Sequence, residues 1–202
     1  MTVAGLNYVS TKDVPTESVF IIQTQDGRGN GSGVLIAPNT ILTARHVAEV
    51  AQYVPLYVRV EGKLYPARIH KLDHTSDLAT MFVDGLFGKY ATISRDVPEA
   101  GADVVASGFP MNWNIKALLQ TKGEVLATVD DRLMTSATIM PGNSGGGLFQ
   151  LKWYGRYELV GITVSVPMVA FGWSGIPAFH ISNSVPANYI WLFLHDYTDI
   201  DG

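Results

Sequence analysis

Three short segments carry side chains able to perform nucleophilic acyl transfer. They are Ile41-Leu42-Thr43-Ala44-Arg45-His46-Val47, His74-Thr75-Ser76-Asp77-Leu78-Ala79 and Pro141-Gly142-Asn143-Ser144-Gly145-Gly146-Gly147. Taken singly, each has an ordinary reading. A lone histidine is most often packed or solvated, an aspartate before a strand is a common turn residue, and a serine among glycines fits a loop. Together they meet a chemical requirement. A serine hydroxyl is a weak nucleophile at neutral pH and needs a base within hydrogen-bond reach. That base needs an acceptor to hold its tautomer and orientation. Histidine suits the base and a carboxylate suits the acceptor. A developing oxyanion needs backbone N–H donors at close range, which favours glycine beside the nucleophile.

Two further patterns are weaker. His70 and His74 have H-x-x-x-H spacing, with Asp73 and Asp77 nearby. Zinc binding would need both histidines on one helical face, and this stretch reads as strand and turn. No metal site is expected. The run GRGNGSG at 27–33 fits neither phosphate-loop pattern and lies between strand-like runs, so a hairpin turn is expected there. His180 and His195 read as structural.

The elements that must position these groups are mostly strands. Runs rich in Val, Ile, Thr, Tyr and Phe cover Val19–Thr24, Gly33–Ala37, Val54–Val60, Ala79–Val83, Val104–Ser107, Gly123–Val129, Leu133–Thr138 and Leu159–Val166. Turn residues separate them, which is the pattern of an all-β sandwich or barrel. One helix is predicted, Ala187–Asp196 after Pro186, with a short helical turn at His46–Ala51. The polar segment 94–101 (SRDVPEAG) reads as a linker between two β halves. His46 and Asp77 then fall in the first half and Ser144 in the second, so the site must lie between them.

Composition narrows the function. With 202 residues and no cysteine, disulfides, thiolate metal sites and a cysteine nucleophile are excluded. A net charge of −4 argues against nucleic-acid or anionic-membrane binding, which needs a basic face. No apolar run approaches the ~20 residues of a membrane span. The first residues lack the basic and apolar regions of a secretory signal. That absence, with the lack of cysteine, points to an intracellular protein of bacterial or viral origin. Nothing in the sequence sets an oligomeric state.

These segments resemble the chymotrypsin-fold (trypsin-like) serine proteases, most nearly the cysteine-free bacterial branch of HtrA/Deg proteases and glutamyl endopeptidases. Gly31-Ser32-Gly33-Val34-Leu35-Ile36 resembles the glycine-flanked strand before the family's histidine. ILTARHV resembles its histidine segment, Asp77-Leu78-Ala79 its D-L-A-L segment, and PGNSGG its nucleophile loop in the GNSGG form. Ala106-Ser107-Gly108-Phe109-Pro110 resembles the A-x-G-x-P turn of the second barrel. The resemblance implies two six-stranded antiparallel β-barrels and a short C-terminal helix. It places the first barrel in 1–95 and the second, with the helix, in 96–202. It implies a serine endopeptidase: Ser144 as nucleophile, His46 as general base and acid, Asp77 as the orienting carboxylate, and the N–H groups of Gly142 and Ser144 as the oxyanion hole. Asn143 stands where the animal digestive enzymes carry the aspartate that pairs with a newly cut N-terminus, so that activation switch is not expected.

The same resemblance places the specificity pocket at Thr138, Ile139 and Met140 and along Thr163, Val164 and Ser165. These side chains imply a small or medium apolar residue before the scissile bond, with substrate backbone added as a strand along Thr163–Val166. The partner is then a protein or peptide substrate, and no cofactor is implied. A latent cleft that binds without turnover is the alternative. Two loops invite a second role. The apolar stretch Val166–Ile176 reads as a packed strand pair or loop, or as a pocket rim or contact patch, and Trp113 as a rim residue or as simply packed.

Overall fold

A strand's side chains alternate between two faces, so a short amphipathic strand buries one face by curling its sheet. Twelve strands of this chain do so. The computed structural model describes residues 13–111, 117–165, 168–171, 174–177 and 181–195. The first barrel runs β1 (Val19–Thr24), β2 (Asn30–Ala37), β3 (Thr40–Ala44), β4 (Leu56–Val60), β5 (Lys63–Leu72) and β6 (Leu78–Val83). It closes in the order β1-β2-β3-β6-β5-β4. Between β3 and β4 lies the helical turn α1 (Arg45–Ala48), followed by a 3-10 turn at Glu49–Gln52.

The second barrel runs β7 (Asp103–Gly108), β8 (Leu119–Val129), β9 (Arg132–Thr135), β10 (Gly147–Leu151) and β11 (Tyr157–Ser165). A two-stranded hairpin, β12 (Met168–Phe171) and β13 (Ser174–Pro177), follows. Then β14 (Ser182–Pro186) closes the barrel in the order β10-β11-β14-β9-β8-β7, and α2 (Ala187–His195) ends the described chain. All strand pairings within the barrels are antiparallel. Trp113, Val166, His180 and Asp196 lie outside the described residues, and so does the middle of the apolar stretch 166–176.

Each barrel fills its own interior. Ile22, Leu35, Ile41, Val58 and Met81 pack in the first, and Val104, Val125, Leu133, Leu148 and Val160 in the second. A third core welds the two. It joins Val34, Leu42 and Leu78 to Phe149, Ile162 and Val185, with Ile190 and Phe193 of α2. The helix is latched to both sides. The Trp191 indole N–H donates to the Ser94 carbonyl (2.7 Å), and the Lys71 ammonium of β5 donates to the Phe193 carbonyl. The predicted linker is therefore pinned at its start: Ser94 is buried, and its N–H donates to Leu159 of β11 (2.9 Å).

Candidate active site

His46 lies in α1, directly after β3. Asp77 directly precedes β6, which pairs with β3 in the register Ala44↔Leu78. That register brings the two side chains to one barrel end. The Asp77 backbone is in the left-handed region (φ +61°), which an aspartate tolerates better than most residues. It lets the Asp77 carbonyl accept from the Arg45 N–H (3.0 Å) while its carboxylate turns back to His46. The carboxylate then holds His46 twice. Its Oδ2 lies 2.9 Å from Nδ1, and its Oδ1 accepts from the His46 backbone N–H at 3.1 Å. Burial alone would raise the Asp77 carboxyl. The hydrogen bonds and charge of His46, together with the charge of Arg45, outweigh that and leave it below the usual carboxylate range. An imidazole that gives its Nδ1 proton to a carboxylate presents Nε2 as an acceptor.

Ser144 comes from the second barrel, on the loop before β10. Two glycines of that loop have no substitute. Gly142 has φ +94°, and a Cβ there would collide with the backbone of Phe109 and Met111. Gly145 has φ +84°, and a Cβ there would overlap the Ser32 carbonyl and the Thr43 hydroxyl. The loop's N–H groups divide into two sets. Those of Asn143, Gly145 and Gly146 donate to Met140, Thr163 and Asn143 at 2.7–3.0 Å. Among the described residues, those of Gly142 and Ser144 have no acceptor. The Pro141 carbonyl accepts from the Met111 N–H (2.6 Å). Carbonyl and N–H point opposite ways across a trans peptide, so the Gly142 N–H faces away from Met111.

The first barrel reaches across to this loop through Ser32, which is fully buried in β2. Its hydroxyl donates to the Gly142 carbonyl (2.8 Å) and accepts from the Phe109 N–H (2.8 Å). Its backbone N–H donates to the Ser144 carbonyl (2.7 Å), and its carbonyl accepts from the Thr43 hydroxyl (2.6 Å). The only sequence signal for Ser32 is its place between two glycines, Gly31 and Gly33.

The Ser144 hydroxyl itself donates to the Val164 carbonyl (3.2 Å). Beside it opens a cleft of about 320 Å³ with His46, Gly142 and Ser144 at its mouth. Its walls are Ile22, Val47, Val50 and Leu56 of the first barrel and Met111 and Pro141 of the second. None of the pocket residues expected from sequence lines this cleft. Thr138, Met140 and Ser165 are exposed, whereas Ile139 and Val164 are buried in barrel cores. The Thr163 N–H and carbonyl are both spent on the nucleophile loop, at Gly146 (2.9 Å) and Gly145 (2.7 Å). A substrate strand along β11 therefore cannot use Thr163. Asn143 is buried, and among the described residues its side-chain carbonyl has no hydrogen-bond partner.

Asp73 stands apart from His46. Burial opposes its charge, but hydrogen bonds from Ser76 and Thr75 outweigh burial and keep its carboxyl low. It closes the turn before β6 by accepting the Thr75 N–H (2.9 Å) and hydroxyl (2.7 Å). His70 is exposed on β5.

Known proteins share this architecture. The sequence profile of the trypsin-like peptidase domain matches residues 31–162. The chain is 34% identical over 204 residues to the mitochondrial serine protease HTRA2 of Drosophila persimilis, covering 93% of this chain and 43% of that protein. It is 28% identical over 178 residues to a probable periplasmic do/HhoA-like serine protease of Haemophilus influenzae, covering 83% and 37%. The chain thus spans less than half the length of these curated relatives. The inactive form of the Rv3671c protease of M. tuberculosis superposes with a TM-score of 0.71 at 19% identity, over 89% of this chain and 88% of that one. A serine endoprotease from Yersinia pestis superposes with a TM-score of 0.70 at 26% identity, over 89% and 62%. The two closed barrels are those of the chymotrypsin-like protease fold.

Proposed function

The chain belongs to the trypsin-like peptidase family, and on that premise we propose that it is a serine endopeptidase acting through Ser144, His46 and Asp77. The observation that carries this reading is the double grip of Asp77 on His46. It occupies Nδ1 and leaves Nε2 as the free acceptor, on a ring that lines one cleft with Gly142 and Ser144. In this reading the Ser144 hydroxyl leaves the Val164 carbonyl for Nε2 of His46 when substrate binds. His46 then accepts the proton as Ser144 Oγ attacks the substrate carbonyl. The N–H groups of Gly142 and Ser144 receive the oxyanion, a contribution worth about 10²–10³ in kcat per donor. His46 returns the proton to the leaving nitrogen, and water resolves the acyl-enzyme by the same route.

The substrate is a protein or peptide. Its relatives, a mitochondrial serine protease of a fly and a probable periplasmic serine protease of a bacterium, support that class. Thr138–Met140 and Thr163–Ser165 contain no acidic side chain. The family resemblance assigns these segments to the residue before the scissile bond, and with no carboxylate in them to pair a basic side chain, a small or medium apolar residue is preferred.

One observation favours a second reading, a latent cleft that binds without turnover: the Ser144 hydroxyl is engaged with Val164. Intact-mass analysis after fluorophosphonate treatment separates the two. A single adduct absent from Ser144→Ala is expected. No adduct on the wild-type chain would overturn the endopeptidase reading in favour of the latent one.

A further inference from the structure

The cleft beside Ser144 lies on one side of the reacting groups. The β11 edge touches Ser144 through the Val164 carbonyl but contributes nothing to the cleft. Most of the walls instead come from the first barrel, which carries His46, with Met111 and Pro141 of the second closing the other side. In acyl transfer the general acid protonates the leaving nitrogen, so the leaving peptide departs across the imidazole. The cleft is therefore positioned for the residue that follows the scissile bond.

Its chemistry is apolar. Ile22 and Leu56 form a buried floor, and the side chains of Val50 and Met111 are 39% and 44% exposed at the rim. The polar wall residue Thr24 is already satisfied. Its hydroxyl donates to Asp26 (2.7 Å) and accepts from the Gly29 N–H (3.2 Å). The nearby charges, Asp26 and Arg28, pair with each other at 3.5 Å. Among the described residues that line the cleft there is no carboxylate, ammonium or guanidinium, so a charged side chain entering it would lose water without a counter-charge from them.

We propose that this cleft is the subsite for the first residue of the leaving peptide and that it selects a branched aliphatic or aromatic side chain there. The proposal rests on the endopeptidase reading above and adds a substrate class to it, namely proteins cut before an apolar residue. Burying such a side chain, against glycine at the same place, is worth a factor on the order of 10–100.

Acyl transfer reads this subsite directly. A peptidyl p-nitrophenyl ester ending in valine acylates Ser144 and releases p-nitrophenolate. An amino-acid amide then competes with water: its free amine attacks the ester carbonyl, a peptide bond forms, and Ser144 leaves with its proton returned through His46. Leucinamide and phenylalaninamide, compared at equal concentrations of free amine, should capture the acyl group about ten- to hundred-fold better than glycinamide. Aspartic acid α-amide should do no better than glycinamide. Val50→Asp should lower capture by leucinamide and raise capture by lysinamide. Release of p-nitrophenolate with equal capture by leucinamide and glycinamide would overturn the subsite while leaving the endopeptidase reading intact. Absence of release above the Ser144→Ala control would overturn the endopeptidase reading, and the subsite with it. The wild-type series decides by itself, so a Val50 variant that failed to fold would not remove the test.

Discussion

Replacing Ser32 by alanine removes one oxygen that ties β2 of the first barrel to the nucleophile loop of the second. The backbone bonds of Ser32 to Ser144 and Thr43 survive the change. The Gly142 carbonyl and the Phe109 N–H both lose the Ser32 hydroxyl, in a place where Ser32 has no solvent exposure. Each such lost hydrogen bond costs about 1–3 kcal/mol, so the loss of stability should be about 2–6 kcal/mol. For a chain of this size each kcal/mol corresponds to about 2–4 °C in Tm. The activity should fall separately. The Gly142 N–H sits one peptide away from the carbonyl that Ser32 holds, so releasing that carbonyl lets the donor drift. Complete loss of one oxyanion donor costs about 10²–10³, and partial displacement should cost about ten- to hundred-fold. The assay is the second-order rate of fluorophosphonate labelling, taken at a temperature where both proteins are folded, beside a melting curve. A lowered Tm with an unchanged labelling rate would refute the positioning of the oxyanion loop by Ser32. An unchanged Tm would refute the account of the buried hydrogen bonds.

Two other substitutions test neighbouring points. Asp77→Asn should lower kcat by about 10⁴, because the amide can stabilise the wrong imidazole tautomer; a small effect on kcat would remove Asp77 from the mechanism. The same variant should change acid stability. The Asp77 carboxyl titrates below its ordinary 3.8 in the folded protein, so its contribution is present above that value. It is lost as pH falls through the lower folded value, and the variant's stability should be flatter across that window; an equally steep acid limb would contradict the assignment. Thr80 in β6 is buried, and among the described residues its hydroxyl has no hydrogen-bond partner. Thr80→Val should raise stability by about 1 kcal/mol, and a fall in Tm would mean the hydroxyl is satisfied by buried water.

Strands with alternating or continuous apolar runs were legible from sequence, and β1 matches its predicted span, Val19–Thr24. The strands left out were hidden for different reasons. In β5 (Lys63–Leu72) charged residues and Pro66 hide the alternation, because one face is solvated. In β14 the buried residues Ser182 and Ser184 are polar; the hydroxyl of Ser182 lies 2.8 Å from that of Thr135. Glycine hides β10, and β3 falls inside a segment that already reads as catalytic. The predicted run Leu133–Thr138 ends at Thr135 instead. There the Thr135 hydroxyl accepts from the Ala137 N–H (3.3 Å), closing a turn in place of a ladder bond. The helix at Ala187 was legible through its broad apolar face, which α2 packs with Ile190 and Phe193 into the core between the barrels.

Residue types and motifs alone determined the chemistry available to this protein. A histidine, an aspartate and a serine among glycines, with no cysteine anywhere, admit one kind of nucleophilic catalysis, and the turn-rich β pattern admits two β halves to carry it. Where the cleft opens was decided by tertiary structure. Its walls come from β1, α1, β4 and the loops around Met111 and Pro141, which no local pattern connects. The link from Ser32 to Gly142 spans 110 residues. A hydrogen bond of that reach exists only after both barrels close and their shared core packs, because only then do the two segments approach. Sequence periodicity records which face of a strand is buried, but not which distant loop it is buried against.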